Sequence, residues 1–324
     1  MKFSILLCTR NSQRLIEEVM LSIIGQTQRE DILEIILVDY NSEDSTLALA
    51  ENIAEGASIP FVPVKCSKPG KSAALVIGLN EACGDYIVIV DDDNILFLDF
   101  IAEAKKILLG DKIGCLGAMG VFDDNLVKPS WFDKYPSEYA IGLPNGGDAT
   151  DWVWGAGCIV SKEAWNNLSK KSFDFILSPE RTSPTMPIAM GGEDVELALA
   201  VNLLGYSVIS SKQIKFVHKF EQKRLTANFL IGNAEGVARS VPVHEVYRLV
   251  MNGKAGKFKV FLWRLKVLSK LLGCIKNIFK SSLIGDHFSR RYFSSISAGI
   301  WQGYRIFNPN IHKVITMVRS LSEK

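Results

Sequence analysis

The apolar positions of the first hundred residues fall into two alternating patterns. Short unbroken runs, FSILLC (3–8), EIILVD (34–39), FVPVK (61–65) and YIVIVDDDN (86–94), have the length and apolar density of buried parallel strands. Between them LIEEVMLSIIGQT, TLALAENIAE and KSAALVIGLNEACG repeat apolar residues at three- and four-residue spacing, as amphipathic helices do. Polar breaks punctuate the runs. TRNSQ offers Asn11 or Ser12 as cap of the first helix, YNSEDST offers Ser42 or Asp44 for the second, and Gly84 reads as the C-cap of the third. Strand and helix alternating at this spacing predict an α/β fold with a mostly parallel sheet of right-handed crossovers.

Beyond residue 100 the pattern loosens. FDFIAEAKKILLG predicts a helix and CLGAMGVF a strand, while 123–150 and 172–190 read as long loops. WVWGAGCIVSKEAWNNL predicts strand, glycine turn, strand and helix. AMGGEDVELALAVNLLGYSV predicts a helix opened by Gly191-Gly192 and the acids Glu193 and Asp194, and YSVISSKQIKFVHKF predicts short strands. Acids in a first turn offset the positive end of the helix dipole, which by itself accounts for Glu193 and Asp194.

Ligands of parallel α/β sheets sit beyond the carboxyl ends of the strands. There the sequence sets Thr9-Arg10-Asn11, Asp39-Tyr40 and Asp91-Asp92-Asp93. Three consecutive carboxylates repel one another and cost desolvation unless a cation joins them. Mg²⁺ or Mn²⁺ suits carboxylate oxygens and bridges to phosphates. In an extended chain Asp91 and Asp93 share one face; the alternative is a solvated acidic turn.

Composition narrows the classes. With 324 residues, 48% of them hydrophobic, the chain can form one large domain with an appendage or two domains. A net charge of +2 supplies no global field for nucleic acid. The six cysteines show no CxxC spacing, so neither a zinc site nor a redox pair is expected, and Cys8 and Cys158 in apolar runs read as reduced core residues of a cytoplasmic protein. MKFSILLCTRNSQ is too short an apolar run for a signal peptide, and no uncharged stretch reaches the ~18 residues a spanning helix needs.

The order of motifs SILLCTRNS (4–12), EIILVDYNSEDST (34–46), GKSAALVIGLNEACGDYIVIVDDD (70–93), WGAGCIVSKEAW (154–165) and GGEDVELALAVNLLGYSV (191–208) resembles that of family-2 glycosyltransferases, which have the nucleotide-sugar-binding GT-A fold. The resemblance covers roughly residues 3–225. It implies a catalytic domain over 1–240, with a nucleotide-binding part (1–95) and an acceptor part (96–240), followed by a basic, amphipathic, helical region over 241–324. It also implies roles. Thr9, Arg10 and Asn11 would lie by the nucleotide base and Asp39 would hydrogen-bond it. Asp91 and Asp92 would sit near the ribose and donor sugar, and Lys71 would approach the nucleotide. Asp93, or Asp92 in its place since the triplet is DDD, would ligate Mn²⁺ or Mg²⁺, with His218 completing the metal site. Gly155 and Ala156 would shape the pocket, Arg224 would meet the diphosphate, Asp194 would be the general base and Glu193 its supporting acid. Donor and acceptor would be a nucleotide diphosphate sugar, a UDP-sugar first among them, and a glycan or lipid-linked acceptor, in an inverting, single-sugar transfer serving cell-surface polysaccharide synthesis.

The chain departs from the pattern in Asp39-Tyr40, where relatives often carry a second Asp or Asn, and in Leu75-Val76, where many carry Arg-Asn. The Gln-x-x-Arg-Trp signature of processive synthases is absent. A sugar nucleotidyltransferase, or a glycan-binding relative without turnover, is the alternative reading.

Residues 254–283 are basic and amphipathic. At helical pitch Val260, Leu268, Leu271, Leu272, Ile275, Ile278 and Phe279 fall on one broad face and Lys259, Lys266, Lys270 and Lys280 roughly opposite. Packing on the protein itself or on a second copy in a homodimer is the first expectation, peripheral contact with the inner membrane leaflet the second.

Overall fold

A computed structural model describes residues 1–68, 70–110, 112–144, 150–177, 191–253 and 259–323. They form two compact units that no single cut near residue 240 separates. The first comprises Met1–Val127, Lys134–Asp174 and Gly205–Phe220; the second comprises Lys128–Asp133, Phe175–Leu204 and Glu221–Lys324.

The first unit is built on an eight-stranded sheet. Its strands are β1 (Phe3–Thr9), β2 (Ile32–Asp39), β3 (Phe61–Lys65), β4 (Tyr86–Asp91), β5 (Asn94–Leu96), β6 (Ile113–Phe122), β7 (Cys158–Ser161) and β8 (Ser207–His218), in the order β3-β2-β1-β4-β7-β6-β8-β5. The β3-β2-β1-β4 half is parallel, as is the β6–β8 pair; β7 runs against both its neighbours and β5 against β8. Helices α1 (Ile16–Ile24), α2 (Thr46–Glu55), α3 (Lys71–Glu81), α4 (Phe100–Leu108) and α5 (Lys162–Lys170) complete the unit. Every residue of β1 is buried, which is why it reads as a continuous apolar run and not an alternating one. Its Phe3, Ile5 and Leu7 meet Ile16, Val19, Met20 and Ile23 of α1 in one core cluster.

Several local expectations are corrected. Neither Asn11 nor Ser12 caps α1, which starts only at Ile16 with Leu15 at its N-cap and no side-chain cap bond. Asn11 instead takes a left-handed backbone (φ 55°), a conformation Asn tolerates because its side chain bonds locally. Gly84 caps nothing, since α3 closes at Ala82; a Cβ there would lie 2.6 Å from the Ser4 nitrogen, so the position is glycine because two backbones nearly touch. Residues 152–154 are not a strand, and 207–218 form one long strand with an irregularity near residues 211–215. The 172–190 loop lies largely outside the described residues, and the 123–150 loop carries two short 3₁₀ turns, Phe132–Lys134 and Pro136–Tyr139.

The second unit is helical: α6 (Glu193–Leu203), α7 (Ala227–Ala238), α8 (Val241–Met251), α9 (Lys259–Leu283), α10 (His287–Phe307) and α11 (Ile311–Ser322). α8 packs on α6, α9 and α11, and α10 packs on α7 and α9. A Cβ at Gly299 or Gly303 of α10 would run into the backbone carbonyls of Glu235 and Arg239, so small residues set this close helix approach. α9 buries Trp263, Val267 and Cys274; the Trp263 Nε1 donates to the Pro242 carbonyl (2.7 Å) and its ring stacks on Tyr304 at 5.3 Å. Among the described residues no helix is long and apolar enough to cross a membrane.

Candidate active site

The carboxyl ends of β2, β1 and β4 lie side by side, with Thr9 paired to Asp39 and Cys8 to Asp91. Thr9, Arg10, Asn11, Asp39, Lys71, Asp91, Asp92, Asp93 and His218 all belong to the first unit, and hydrogen bonds tie most of them together at this edge.

β4 ends at Asp91, and Asp92 and Asp93 form the turn into β5. The alternation expected of an extended Asp91–Asp93 therefore does not apply; the turn sends each carboxylate to its own partner. Asp91 Oδ1 meets Lys71 Nζ at 2.5 Å. Asp92 Oδ2 accepts from the buried Thr9 hydroxyl (2.8 Å) and from the Arg10 backbone N–H (3.3 Å). Burial raises the Asp92 pKa, the Thr9 donation counters it, and the charges of Asp93 and Asp91 add to the rise. Asp93 Oδ2 lies 3.3 Å from His218 Nε2, and its Oδ1 accepts from the Asn94 amide (3.1 Å). Dispersing three charges over separate partners is how the edge tolerates them.

The His218 ring is fixed from its other side. Its Nδ1 lies 2.7 Å from the Tyr139 carbonyl oxygen, which can only accept, so Nδ1 carries the proton. In the neutral ring, Nε2 then presents a lone pair to the Asp93 carboxylate, and two electron-rich atoms face each other across 3.3 Å unless a proton or a cation stands between them. Burial opposes the imidazolium, yet Asp93 and the Tyr139 carbonyl together raise the pKa above the ordinary imidazole value. A carboxylate oxygen and an imidazole nitrogen converging in this way, with the second imidazole nitrogen tethered, make an ion pair when the ring is protonated and could serve as two ligands of a divalent cation such as Mn²⁺ when it is not. No group of three or more such side chains occurs among the described residues, so further ligands would come from the diphosphate and water.

The loops after β1 and β2 are laced together. Asp39 Oδ1 accepts from the Ser42 N–H (3.0 Å), Asn11 N–H donates to Ser42 Oγ (2.9 Å), and Asn11 Oδ1 accepts from Glu43 N–H (2.8 Å). Asn11 is thus a bracket between loops, its side-chain oxygen already used. Neither Ser42 nor Asp44 is the N-cap of α2, which is Ser45 without a side-chain cap bond; Asp44 stands one residue before it and its Oδ1 accepts from the Thr46 N–H (3.0 Å). Tyr40, where relatives often have a second acid, is pushed up to about 12 by burial, with Asp92 adding to the rise.

Two residues that sequence reasoning passed over belong here. Ser72 follows Lys71 in the first turn of α3, and its hydroxyl is buried with no hydrogen-bond partner. The helix is entered through Gly70 (φ 96°), and the lysine one residue before Ser72 is the one that meets Asp91. The LVIG side of α3 draws attention to its apolar face and hides Ser72. Tyr139 acts through a backbone carbonyl, which no sequence pattern reveals.

Other expectations are met in part. Ala156 is buried and Gly155 closes a turn by accepting from Cys158 N–H (3.1 Å), but the glycine with a structural demand is Gly157, with φ 65° and no room for a Cβ against Phe216 (2.9 Å) and Ala118 (3.0 Å). Lys219 faces Asp123 (3.3 Å) and Glu18 (3.4 Å). Trp154 is core, its Nε1 donating to the Ala118 carbonyl (3.1 Å).

Glu193, Asp194 and Arg224 belong to the second unit. Gly192 is the N-cap of α6 with φ 104°, and its carbonyl oxygen lies 3.0 Å from the Nε2 of the buried His244. Asp194 Oδ1 accepts from the adjacent Val195 N–H (2.8 Å). Two residues on, Glu196 is fully buried and accepts from Ile176 N–H (2.9 Å), Leu177 N–H (3.1 Å) and the Tyr247 hydroxyl (2.9 Å). Only Glu193 and Asp194 are therefore partly exposed; the third acid of the first turn is an internal tie. Arg224 lies over the Phe229 ring at 5.8 Å.

Comparison with known proteins gives a consistent picture. Residues 4–163 match the family model Glycosyl transferase family 2. Poly(ribitol-phosphate) beta-N-acetylglucosaminyltransferase TarS of Staphylococcus aureus is 26% identical over 108 residues, 33% of this chain and 19% of that protein, so the matched segment spans about a fifth of the relative's length. The mannosyltransferase PcManGT from Pyrobaculum calidifontis, solved in complex with GDP-Man and Mn²⁺, superposes with a TM-score of 0.57 at 20% identity, covering 99% of this chain and 84% of that one. TarS 1-349 in complex with UDP superposes with a TM-score of 0.51 at 13% identity, covering 99% and 90%. These likenesses establish the GT-A fold.

Proposed function

Residues 4–163 belong to glycosyltransferase family 2, and from that premise we propose that the chain transfers one sugar from a nucleotide diphosphate sugar to a glycan or lipid-linked acceptor, with inversion at the anomeric carbon. The observation that carries this reading is the pairing of Asp93 with His218, whose Nδ1 is committed to the Tyr139 carbonyl so that Nε2 and a carboxylate oxygen converge. Support for the donor class comes from the relatives: one solved structure holds GDP-Man and Mn²⁺ and another holds UDP.

In this reading Asp39 and the backbone around Thr9 receive the nucleoside, and Lys71 binds diphosphate oxygens. Asp93 and His218 would hold a divalent cation, which would supply positive charge against the departing diphosphate. Asp91 keeps Lys71 extended in the site at 2.5 Å. Asp194 takes the proton of the acceptor hydroxyl as its oxygen bonds to the anomeric carbon and the bond from that carbon to the diphosphate breaks. Direct displacement by the acceptor oxygen from the face opposite the diphosphate inverts the configuration. A lipid-linked acceptor would bring the chain to the cytoplasmic face of a membrane in envelope polysaccharide synthesis.

Calorimetric titration of UDP, GDP, CDP and TDP, each with Mn²⁺ and again with EDTA, tests the donor site. Binding of one diphosphate that EDTA weakens supports the reading; equal binding with and without metal removes Asp93–His218 from it. Proton NMR of the product tests the stereochemistry, and a retained anomeric configuration would overturn the role of Asp194.

A further inference from the structure

The amphipathic face expected of residues 254–283 and the open face of α9 overlap in part, for Leu268, Leu272, Ile275 and Phe279 belong to both. Trp263, Val267 and Cys274 point inward, while Phe261, Leu265, Leu268, Leu272, Ile275, Phe279 and Leu283 are exposed, each between 45% and 71%. Their spacing of four, three, four, three, four and four residues keeps them within an arc of about 80° at 3.6 residues per turn. The helix therefore has two apolar faces, one packed and one open, and the open one runs the whole length of 25 residues. Scattered exposed leucines are ordinary, but seven in one row are not.

Charge decides what this row fits. α9 carries six Lys and Arg and no Asp or Glu, and α10, which packs on it, carries three more and again no acid. Arg264 borders the stripe on one side, Lys276 and Lys280 on the other, all three exposed. Lys270, which a simple amphipathic split sets opposite the apolar face, lies on the flank toward α8, where it meets Glu245 at 3.4 Å. A second copy of α9 laid along the stripe would bring two rows of cations together with no carboxylate on either helix to neutralise them. An anionic lipid surface removes that conflict: headgroup phosphates take the bordering cations while the apolar row enters the acyl boundary.

We propose that the open face of α9 docks the protein flat on an anionic bilayer surface, with Phe261, Leu265, Leu268, Leu272, Ile275, Phe279 and Leu283 inserted and Arg264, Lys276 and Lys280 on the headgroups. The proposal does not depend on which sugar is transferred, or on transfer at all.

The test is co-sedimentation of the full chain with vesicles of phosphatidylcholine alone and of phosphatidylcholine mixed with phosphatidylglycerol, at low and high salt. The wild type is expected to sediment with the phosphatidylglycerol vesicles at low salt and to be released as salt rises. Leu268→Glu/Ile275→Glu and Lys276→Glu/Lys280→Glu are each expected to lower the partition coefficient roughly tenfold or more. Both pairs are on the solvent side of α9, so unchanged circular dichroism and melting temperature will show that the fold survives. A wild type that stays in the supernatant overturns the proposal, as does undiminished sedimentation of either variant. A dimer in analytical ultracentrifugation that Leu268→Glu/Ile275→Glu dissociates, without vesicle binding by the wild type, assigns the face to a second copy instead.

Discussion

Asp91, Asp92 and Asp93 are adjacent in sequence and chemically distinct in the fold, because each is answered by a different partner: an ammonium, a hydroxyl with a backbone N–H, and an imidazole. Their substitutions should therefore separate. Asp93→Asn and His218→Ala are expected to weaken Mn²⁺-dependent nucleotide binding by roughly 10- to 100-fold with little change in metal-free binding, measured by calorimetry. Asp194→Asn is expected to leave nucleotide binding intact and to lower kcat by roughly 100- to 10,000-fold in an assay of sugar transfer. The cysteines give an independent check on burial. Burial pushes the Cys8 thiol up to about 12, whereas Cys83 is exposed. Only the thiolate reacts, so at pH 8 a thiol reagent should label Cys83 in a fast phase that Cys83→Ser abolishes, with Cys8 labelled only on unfolding.

The helix that carries Asp194 is held by its neighbours more than by its own sequence. Gly192→Ala must force an L-residue to φ 104° and push a Cβ to 2.6 Å from Ser240 Oγ and 2.9 Å from His244 Cε1. A loss of about 1–3 kcal/mol is expected in denaturant unfolding. Tyr247→Phe deletes one of three donors to the buried Glu196 carboxylate and should cost about 1–3 kcal/mol in the same measurement. Elements of this kind mark the limit of what the sequence shows. The strands β1, β2 and β4 were legible because strands buried on both faces leave unbroken apolar runs, and the strand-end residues Asp39, Asp91 and Asp93 followed from where such strands stop, whereas Lys71, at the start of α3, came only from the family resemblance. The turn at Asp92–Asp93 was not legible, because a run of aspartates has no period to distinguish extended chain from turn. Nor was Glu196 distinguishable from Glu193 or Asp194: three acids in one helical turn look alike until Ile176, Leu177 and Tyr247 close over one of them. On α9 the periodicity was visible and Leu268, Leu272, Ile275 and Phe279 of the expected face form the open row, while Val260, Leu271 and Ile278 are half-buried; a helix apolar on two sides offers no unique stripe, and Trp263 against Pro242 and Tyr304 marks the side that turns inward.

At the scale of the whole molecule, near-neutrality conceals a segregation of charge. The chain has 37 Lys and Arg against 35 Asp and Glu, yet α9 and α10 hold nine of those cations and none of the acids, so the remaining sequence has 28 against 35. The protein is expected to bind a cation exchanger even above its isoelectric point of about 8.1, and Lys276→Glu/Lys280→Glu should elute at lower salt. The order in which the sheet is strung has a different consequence, for synthesis. β8 pairs with both β5 and β6 yet is the last strand in the chain, and it delivers His218 to Asp93, which left the ribosome 125 residues earlier. α6 emerges before β8 but waits longer, for the Tyr247 hydroxyl that reaches Glu196 lies 51 residues downstream. A nascent chain thus exposes its acidic strand ends well before it owns the imidazole to pair with them, and Glu196 likewise precedes the hydroxyl that reaches it. In the proposed reading, the Asp93–His218 pair can therefore form only once about two-thirds of the chain has been made, when β8 is complete.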